Sequence, residues 1–294
     1  MTGATGHLGS RLLPRLLADP AVERVRSVAR RPLAVSHPKL HHTVVDLRED
    51  AARSALAHAD VLFHLAFNLW RTPEASYANL DATRSVVAAH PARIVLASSA
   101  AVYGAWPDNP LPLTEDDWPR PNRECRYAGD KLRAERLCAA EIPTLSLRIA
   151  AVLGPHADRR VVRSVQGYRL AVPAFQGEKE ALQFLDEDDA ARALELGGSS
   201  TATGVVNVAP GDWLDAPGVA RVARSRVVRL PGPLLTGVAE AAFRLRLTPF
   251  GADRAILVRG PLALSSERAA AVLGWTATRS SAEVLAGALG RGAG

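Results

Sequence analysis

Met1, Thr2, Gly3, Ala4, Thr5, Gly6, His7, Leu8, Gly9 and Ser10 open the chain, and the reading of this stretch decides the fold. Glycine recurs at every third position, and Leu12, Leu13, Leu16 and Leu17 follow at helical spacing. The pattern describes a tight turn that delivers the chain into a helix N-terminus. Free backbone N–H groups and the positive end of the helix dipole then face one point, and the missing side chains let a pyrophosphate approach closely. Short glycine-rich turns are common and most bind nothing, so these residues alone leave a phosphate cradle and a plain turn level.

In a dinucleotide-binding fold a buried β-strand feeds this turn and forms the middle of a parallel sheet. No residue stands before Met1 to build it. The first strand is therefore expected to be truncated: either the reading frame begins some residues upstream, or two strands flank a gap. A gap leaves buried ladder groups unpaired at about 1 to 3 kcal/mol each, which favours an upstream start.

The bulk properties bound the answer. At 294 residues with 48% hydrophobic content, the chain can hold one large α/β domain or a nucleotide domain with a smaller lobe. No apolar run approaches the ~18 residues of a membrane span, and the N-terminus lacks a secretory signal, so the expected location is cytoplasmic with no membrane partner. The net charge is +6, yet the arginines are scattered without a basic stripe, and no nucleic-acid partner is expected. Cys125 and Cys138 are too few for a disulfide framework and lack metal spacing. Only three lysines occur, Lys39, Lys131 and Lys179, so each is informative.

A short apolar run from Val22 to Val28 reads as a strand ending in Ala29, Arg30 and Arg31. A carboxylate there would grip the ribose 2′-OH of NAD. Ala29 stands in its place, and the two arginines suit a 2′-phosphate, which tilts the choice toward NADP; two solvated arginines explain the residues equally well. His37, His41 and His42 follow no helix face and have no acidic ligand among them, so they read as a solvated loop rather than a metal site. Thr43 to Val45 reads as a strand ending at Asp46 and Leu47, where Asp46 could reach adenine. The run from Val61 to Ala66 is apolar enough for a strand covered on both faces, with His64 as a satisfied core residue. Asn79 is placed on a helix from about 73 to 89, facing the nucleotide cleft.

Beyond Pro91, the strand from Ile94 to Ala97 runs into Ser98 and Ser99, hydroxyls at the carboxyl end of a parallel strand, where such sheets bind ligands. A Pro-rich loop carrying Trp106 and Trp118 follows. Tyr127 and Lys131 then lie one helical turn apart on one face. They are either a surface pair or a phenol whose ionisation is eased by the neighbouring ammonium, which would make it a proton acceptor near neutral pH. After the strand from Thr144 to Ile149 the simple alternation breaks down. A segment from Gln183 leads into a helix, a strand lies near Val205 to Val208, and the remainder is helix-rich.

Taken together, these motifs resemble the extended short-chain dehydrogenases/reductases, the NAD-dependent epimerase/dehydratase family, over nearly the whole chain. Thr2, Gly3, Gly6 and Gly9 match T-G-x-x-G-x-x-G; Tyr127 and Lys131 fill Y-x-x-x-K; Ser99 lies four residues before Tyr103 as the family's catalytic Ser/Thr does. Asn79 with Thr83, Phe184 to Asp189, and Leu273-Gly274-Trp275 supply further matches. The resemblance implies an α/β fold with a Rossmann-type doubly wound parallel sheet over residues 1–153. A C-terminal substrate lobe would span 154–294, with about 183–208 returning to the sheet. It implies Ser99, Tyr127 and Lys131 as catalytic residues. Cofactor contacts would come from Gly3, Gly6, His7, Leu8, Gly9, Arg30, Asp46, Leu47, Leu65, Ala66, Asn79 and Ile149. NAD or NADP is the implied cofactor, a small molecule such as a nucleotide sugar the implied substrate, and a homodimer through residues 74–90 and 124–141 the implied assembly.

Departures narrow the reaction. Family 4,6-dehydratases carry an Asp–Glu pair directly after the catalytic Thr; Ala100 and Ala101 stand here, so dehydration is not expected. Ala151 replaces the asparagine with which nucleotide-sugar epimerases touch the diphosphate, and Asp186 replaces the histidine of F-x-H-V-D-D. An epimerase and a carbonyl reductase therefore both remain, with a catalytically silent dinucleotide sensor as the reading from another class.

Overall fold

A computed structural model describes residues 1–69, 72–157, 159–248 and 251–290. The elements run α1 (His7–Ala18), β1 (Val25–Ala29), β2 (Leu40–Val44), α2 (Asp50–Leu56), β3 (Leu62–His64), α3 (Pro73–Val87), β4 (Ile94–Ser99), α4 (Arg126–Glu141) and β5 (Thr144–Ile149). There follow β6 (Ala151–Leu153), α5 (Arg159–Gln166), β7 (Val172–Phe175), β8 (Phe184–Asp186), α6 (Glu187–Ser199) and β9 (Gly204–Val208). The chain continues through α7 (Ala216–Ala223), β10 (Val227–Leu230), α8 (Gly232–Arg244), α9 (Ala252–Ala255), α10 (Glu267–Leu273) and α11 (Ser281–Ala288).

The main sheet is parallel throughout. β1 pairs with β2, and β3, β4, β5 and β9 pair in that order. An open central gap, one of the two alternatives, is not what the structure shows. Thr2 bridges Val28 on one side and His64 on the other; its N–H donates to the Phe63 carbonyl at 2.9 Å, and the Val28 N–H donates to Met1 at 3.0 Å. Met1 and Thr2 thus lie between the two strands, and the Val28 and Phe63 groups that face them find partners.

Both faces are covered, so every residue of β3, β4 and β5 except Ser99 is buried. One core joins Leu12, Leu13 and Leu16 of α1 to Val95, Leu145, Leu147, Val206 and Leu194; the other joins Val28, Leu62, Ile94 and Leu96 to Val86, Ala134 and Cys138. The doubly wound arrangement puts the carboxyl ends of β3, β4 and β5 along one edge, with Ser99 in register with Ile149.

One other expectation changes. His41 and His42 are not in a loop but within β2, which starts at Leu40. β2 is an edge strand, so its polar side chains reach solvent or local partners, as His42 does with Ser27 and the Arg31 carbonyl. The β6–β8 and β7–β10 pairs pack with α5, α7 and α11 around Leu153, Phe184, Val219 and Leu285. Leu264, Leu273 and the fully buried Trp275 pack instead into the sheet core, held by the Trp275 indole donating to Asp189 O at 3.0 Å.

Candidate functional site

The glycine loop is closed on itself and open to a ligand. Gly3 has φ +74°, and a Cβ there would lie 2.7 Å from the Ala66 nitrogen; one on Gly9 would meet the Gly3 carbonyl and lie 2.8 Å from Ala4 Cα. Only hydrogen fits at either place. Thr2 Oγ1 accepts from the Leu65 and Ala66 amides, both at 3.2 Å, and bonds His64 Nδ1 at 2.9 Å, which fixes the loop after β3 against the cradle. α1 begins at Gly6 with no side-chain cap and no acidic residue in its first turn, so the amides at His7, Leu8 and Gly9 have no side chain competing for them. This is the donor set a pyrophosphate needs, and the residues fit a dinucleotide.

Around the cradle, Ala29 ends β1 buried, Arg30 and Arg31 are exposed beyond it, and Arg31 Nη2 donates to the Thr5 carbonyl at 3.4 Å. Asp46 is clamped by Arg48, whose side-chain hydrogen bond holds the carboxyl at about 2, while Leu47 is buried next to it. Asn79 is buried, but its amide is engaged by the loop after β3, accepting from Asn68 N at 2.6 Å and donating to Asn68 O at 3.0 Å. Its place is to shape that loop. His64 sits in the core with its second ring nitrogen 3.1 Å from Thr83 Oγ1, and burial lowers it to about 3.

Ser99, Tyr127 and Lys131 meet at the carboxyl end of β4. The Ser99 hydroxyl accepts from Ala101 N at 3.2 Å and favours ionisation of the nearby Tyr127 phenol. Lys131 is buried, donates to the Ala97 carbonyl at 2.5 Å, and lies 3.9 Å from the centre of the Phe67 ring. Burial lowers its ionisation to about 7, against the pull of Glu135 one turn further along α4. Tyr127 has two cations near its ring, Arg254 and Lys131. Burial raises the phenol, and the cation that opposes this is Arg254, whose guanidinium carbon lies 3.9 Å from the ring centre; the Lys131 ammonium is 5.8 Å away and engaged elsewhere.

Beneath these residues runs a buried polar network. Glu135 takes two hydrogen bonds from Arg148 at 3.1 and 2.9 Å and one from Ser98. Arg148 lies under the Tyr103 ring at 4.7 Å, and the Tyr103 hydroxyl donates to Asn207 at 2.9 Å. A buried ion pair of this kind holds only because each charge is satisfied. It fixes α4 against β4 and β5, and so fixes the heights of Tyr127 and Lys131.

A family model described as "NAD dependent epimerase/dehydratase family" matches residues 1–209. The chain belongs to that family. An uncharacterized protein of Mycobacterium tuberculosis (strain ATCC 25618 / H37Rv) is 27% identical over 268 residues, 80% of this chain, and the chain spans 66% of that protein's length. Among solved structures, MoeE5 in complex with UDP-glucose and NAD is 26% identical with a TM-score of 0.71, covering 98% of this chain and 96% of that one. UDP-glucuronic acid 4-epimerase from Bacillus cereus, 17% identical with a TM-score of 0.72 over 97% and 95% of the two chains, shares the fold.

Set beside the family's F-x-H-V-D-D pattern, this chain carries Glu187 where valine is expected. Its carboxylate is buried between two rings, accepting from His7 Nε2 at 2.7 Å and His156 Nδ1 at 2.5 Å. Burial pushes it up, but the hydrogen bonds from His156 and His7 prevail and hold it low. Glycine at 154 leaves the room for it, since a Cβ there would collide with the carboxylate. The cradle is thereby tied to the loop after β6.

Sequence reading missed Glu187, His156, Phe67, Arg254 and the Glu135–Arg148 pair. Glu135 alone had a signal, its spacing of four from Lys131 on an amphipathic helix. Among the described residues no cluster of three His, Cys, Asp or Glu is arranged to hold a metal ion, and no helix is long and apolar enough to cross a membrane.

Proposed function

We propose that this chain is an NAD(P)-dependent oxidoreductase of the epimerase type, acting at a secondary alcohol or its carbonyl on a nucleotide sugar. The observation that carries this is the meeting of Ser99, Tyr127 and Lys131 at the carboxyl edge of the sheet, beside an uncapped glycine cradle. The bound nicotinamide would supply the hydride acceptor and donor. Ser99 orients the substrate oxygen, Tyr127 takes or returns its proton at the phenol oxygen, and Lys131 holds the nicotinamide ribose. Gly3, Gly6, His7, Leu8 and Gly9 hold the pyrophosphate. Leu65, Ala66 and Ile149 bound the nicotinamide side, and Asp46 with Leu47 the adenine side. Asn79 acts through the loop it shapes. Positioning and proton transfer are what the protein contributes.

The likeness to MoeE5, solved with UDP-glucose and NAD, supports a nucleotide sugar and NAD. The absent carboxylate at Ala29 and the two exposed arginines beyond it support NADP. Ala100 and Ala101 are buried and apolar, so the acid–base pair of a dehydratase is missing. The sheet domain comprises residues 1–153 and about 183–208, and the chain works as a homodimer through α3 and α4.

The test is a binding titration of NAD against NADP followed by a nucleotide-sugar and carbonyl panel. Tyr127→Phe should abolish turnover while dinucleotide binding survives. Unchanged turnover in that variant refutes the proton-transfer role. Dinucleotide binding with no turnover on either panel would favour the silent sensor, and turnover on simple carbonyls alone would favour the reductase.

A further inference from the structure

A charged side chain far along the chain lies against the candidate acid–base residue. Arg254, on α9, lies with its guanidinium carbon 3.9 Å from the centre of the Tyr127 ring and donates to the Leu69 carbonyl at 3.4 Å. Asp253 accompanies it at 3.8 Å. The arrangement is built into the packing, because Ile256, two residues on, is buried against Cys125 and Ala128 at the start of α4, with Tyr127 and Leu257 closing the cluster. Phe67 meets the same phenol ring edge-to-face at 5.8 Å, and Lys131 lies beyond it, held to the Ala97 carbonyl.

We propose that Arg254 is a positioning residue that, alongside Lys131, makes the Tyr127 phenol a stronger acid. The inference rests on the reading of Tyr127 as the proton-transfer group. Its physical basis is that a guanidinium keeps its charge at every working pH, whereas a buried ammonium does not. Among the described residues few other groups bear on Tyr127. Ser99 favours its ionisation from β4, Cys125 opposes it from the start of α4, and Lys131 faces the ring at 5.8 Å from the same helix. From α9 come Arg254 and the Asp253 that partly offsets it. Because α9 belongs to the chain beyond the sheet domain, the acidity of the phenol depends on how that segment packs.

The experiment titrates the tyrosines directly, in the protein without substrate or dinucleotide. The chain has four, Tyr77, Tyr103, Tyr127 and Tyr168, so labelling tyrosine with carbon-13 at Cζ gives few signals, and Tyr127→Phe identifies the one that matters. Arg254→Gln should make Tyr127 about tenfold or more weaker as an acid, the scale on which a charge at this range acts. Arg254→Lys should restore part of the difference. Coincident Tyr127 titrations in the wild type and Arg254→Gln overturn the proposal. If Arg254→Gln does not fold, Arg254→Lys decides, since a smaller move in the same direction is expected of it and none would refute it. The acid limb of kcat/KM against pH should rise with the phenol. A moved titration in a protein that never turns over would spare this inference and count against the proposed function instead.

Discussion

Replacing Lys131 with methionine should stabilise the protein near neutral pH while removing its activity. The ammonium is 4% exposed, and burial brings its ionisation from 10.5 to about 7. Between those values the unfolded lysine holds a proton that the folded one has released, so stability rises with pH across the window; below about 7 the deficit is constant. At roughly 1.4 kcal/mol for each tenfold change, the deficit at pH 7 is on the order of 4 kcal/mol. Methionine matches the stem and carries no charge, but it forfeits the hydrogen bond to the Ala97 carbonyl, about 1.5 to 3 kcal/mol for a charged donor. The variant should therefore be about 1 to 3 kcal/mol more stable at pH 7. By pH 10.5 the wild type has recovered its deficit and the variant should have lost its lead. Urea unfolding of both proteins across this range measures the difference, with the shared contributions of other groups cancelling. Parallel stability curves, or a variant less stable at pH 7, would refute the reasoning.

Glu135→Leu leaves the Arg148 guanidinium buried without its carboxylate and should cost about 3 to 5 kcal/mol, while the double variant Glu135→Leu/Arg148→Met should recover most of it. Calorimetry reads this as a drop in Tm of roughly 2 °C for each kcal/mol, and equal losses in the single and double variants would show that the pair is not the cause. Sedimentation at micromolar concentration should find a dimer that Tyr77→Asp, placed on the exposed side of α3, disrupts. A wild-type monomer would contradict the assembly through α3 and α4.

Much of the fold was legible because its signals are local. Leucines at a helical period after a glycine turn, apolar runs with the length of buried strands, and a tyrosine and lysine one turn apart depend on nothing beyond a few neighbouring residues. Thus α1, α3, β4, α4 and β5 fell where the pattern put them, and Ser99 came out at the carboxyl edge next to Tyr127 and Lys131. β2 was misplaced because an edge strand tolerates His41 and His42, so its polar pattern imitates a loop.

The sequence by itself determined that a glycine cradle opens a helix and that a hydroxyl ends one strand while a phenol and an ammonium share the helix that follows it. Only the tertiary structure decided what surrounds them. Thr2 finds partners because β1 and β3 come to either side of it. Glu187 is buried because His7 and His156 arrive from distant segments, and the cation nearest the Tyr127 ring proves to be Arg254, 127 positions further along the chain. Spacing rules reach one or two turns of backbone. Charge and burial act through space, and the ionisation of a side chain is settled by whichever groups the topology packs against it.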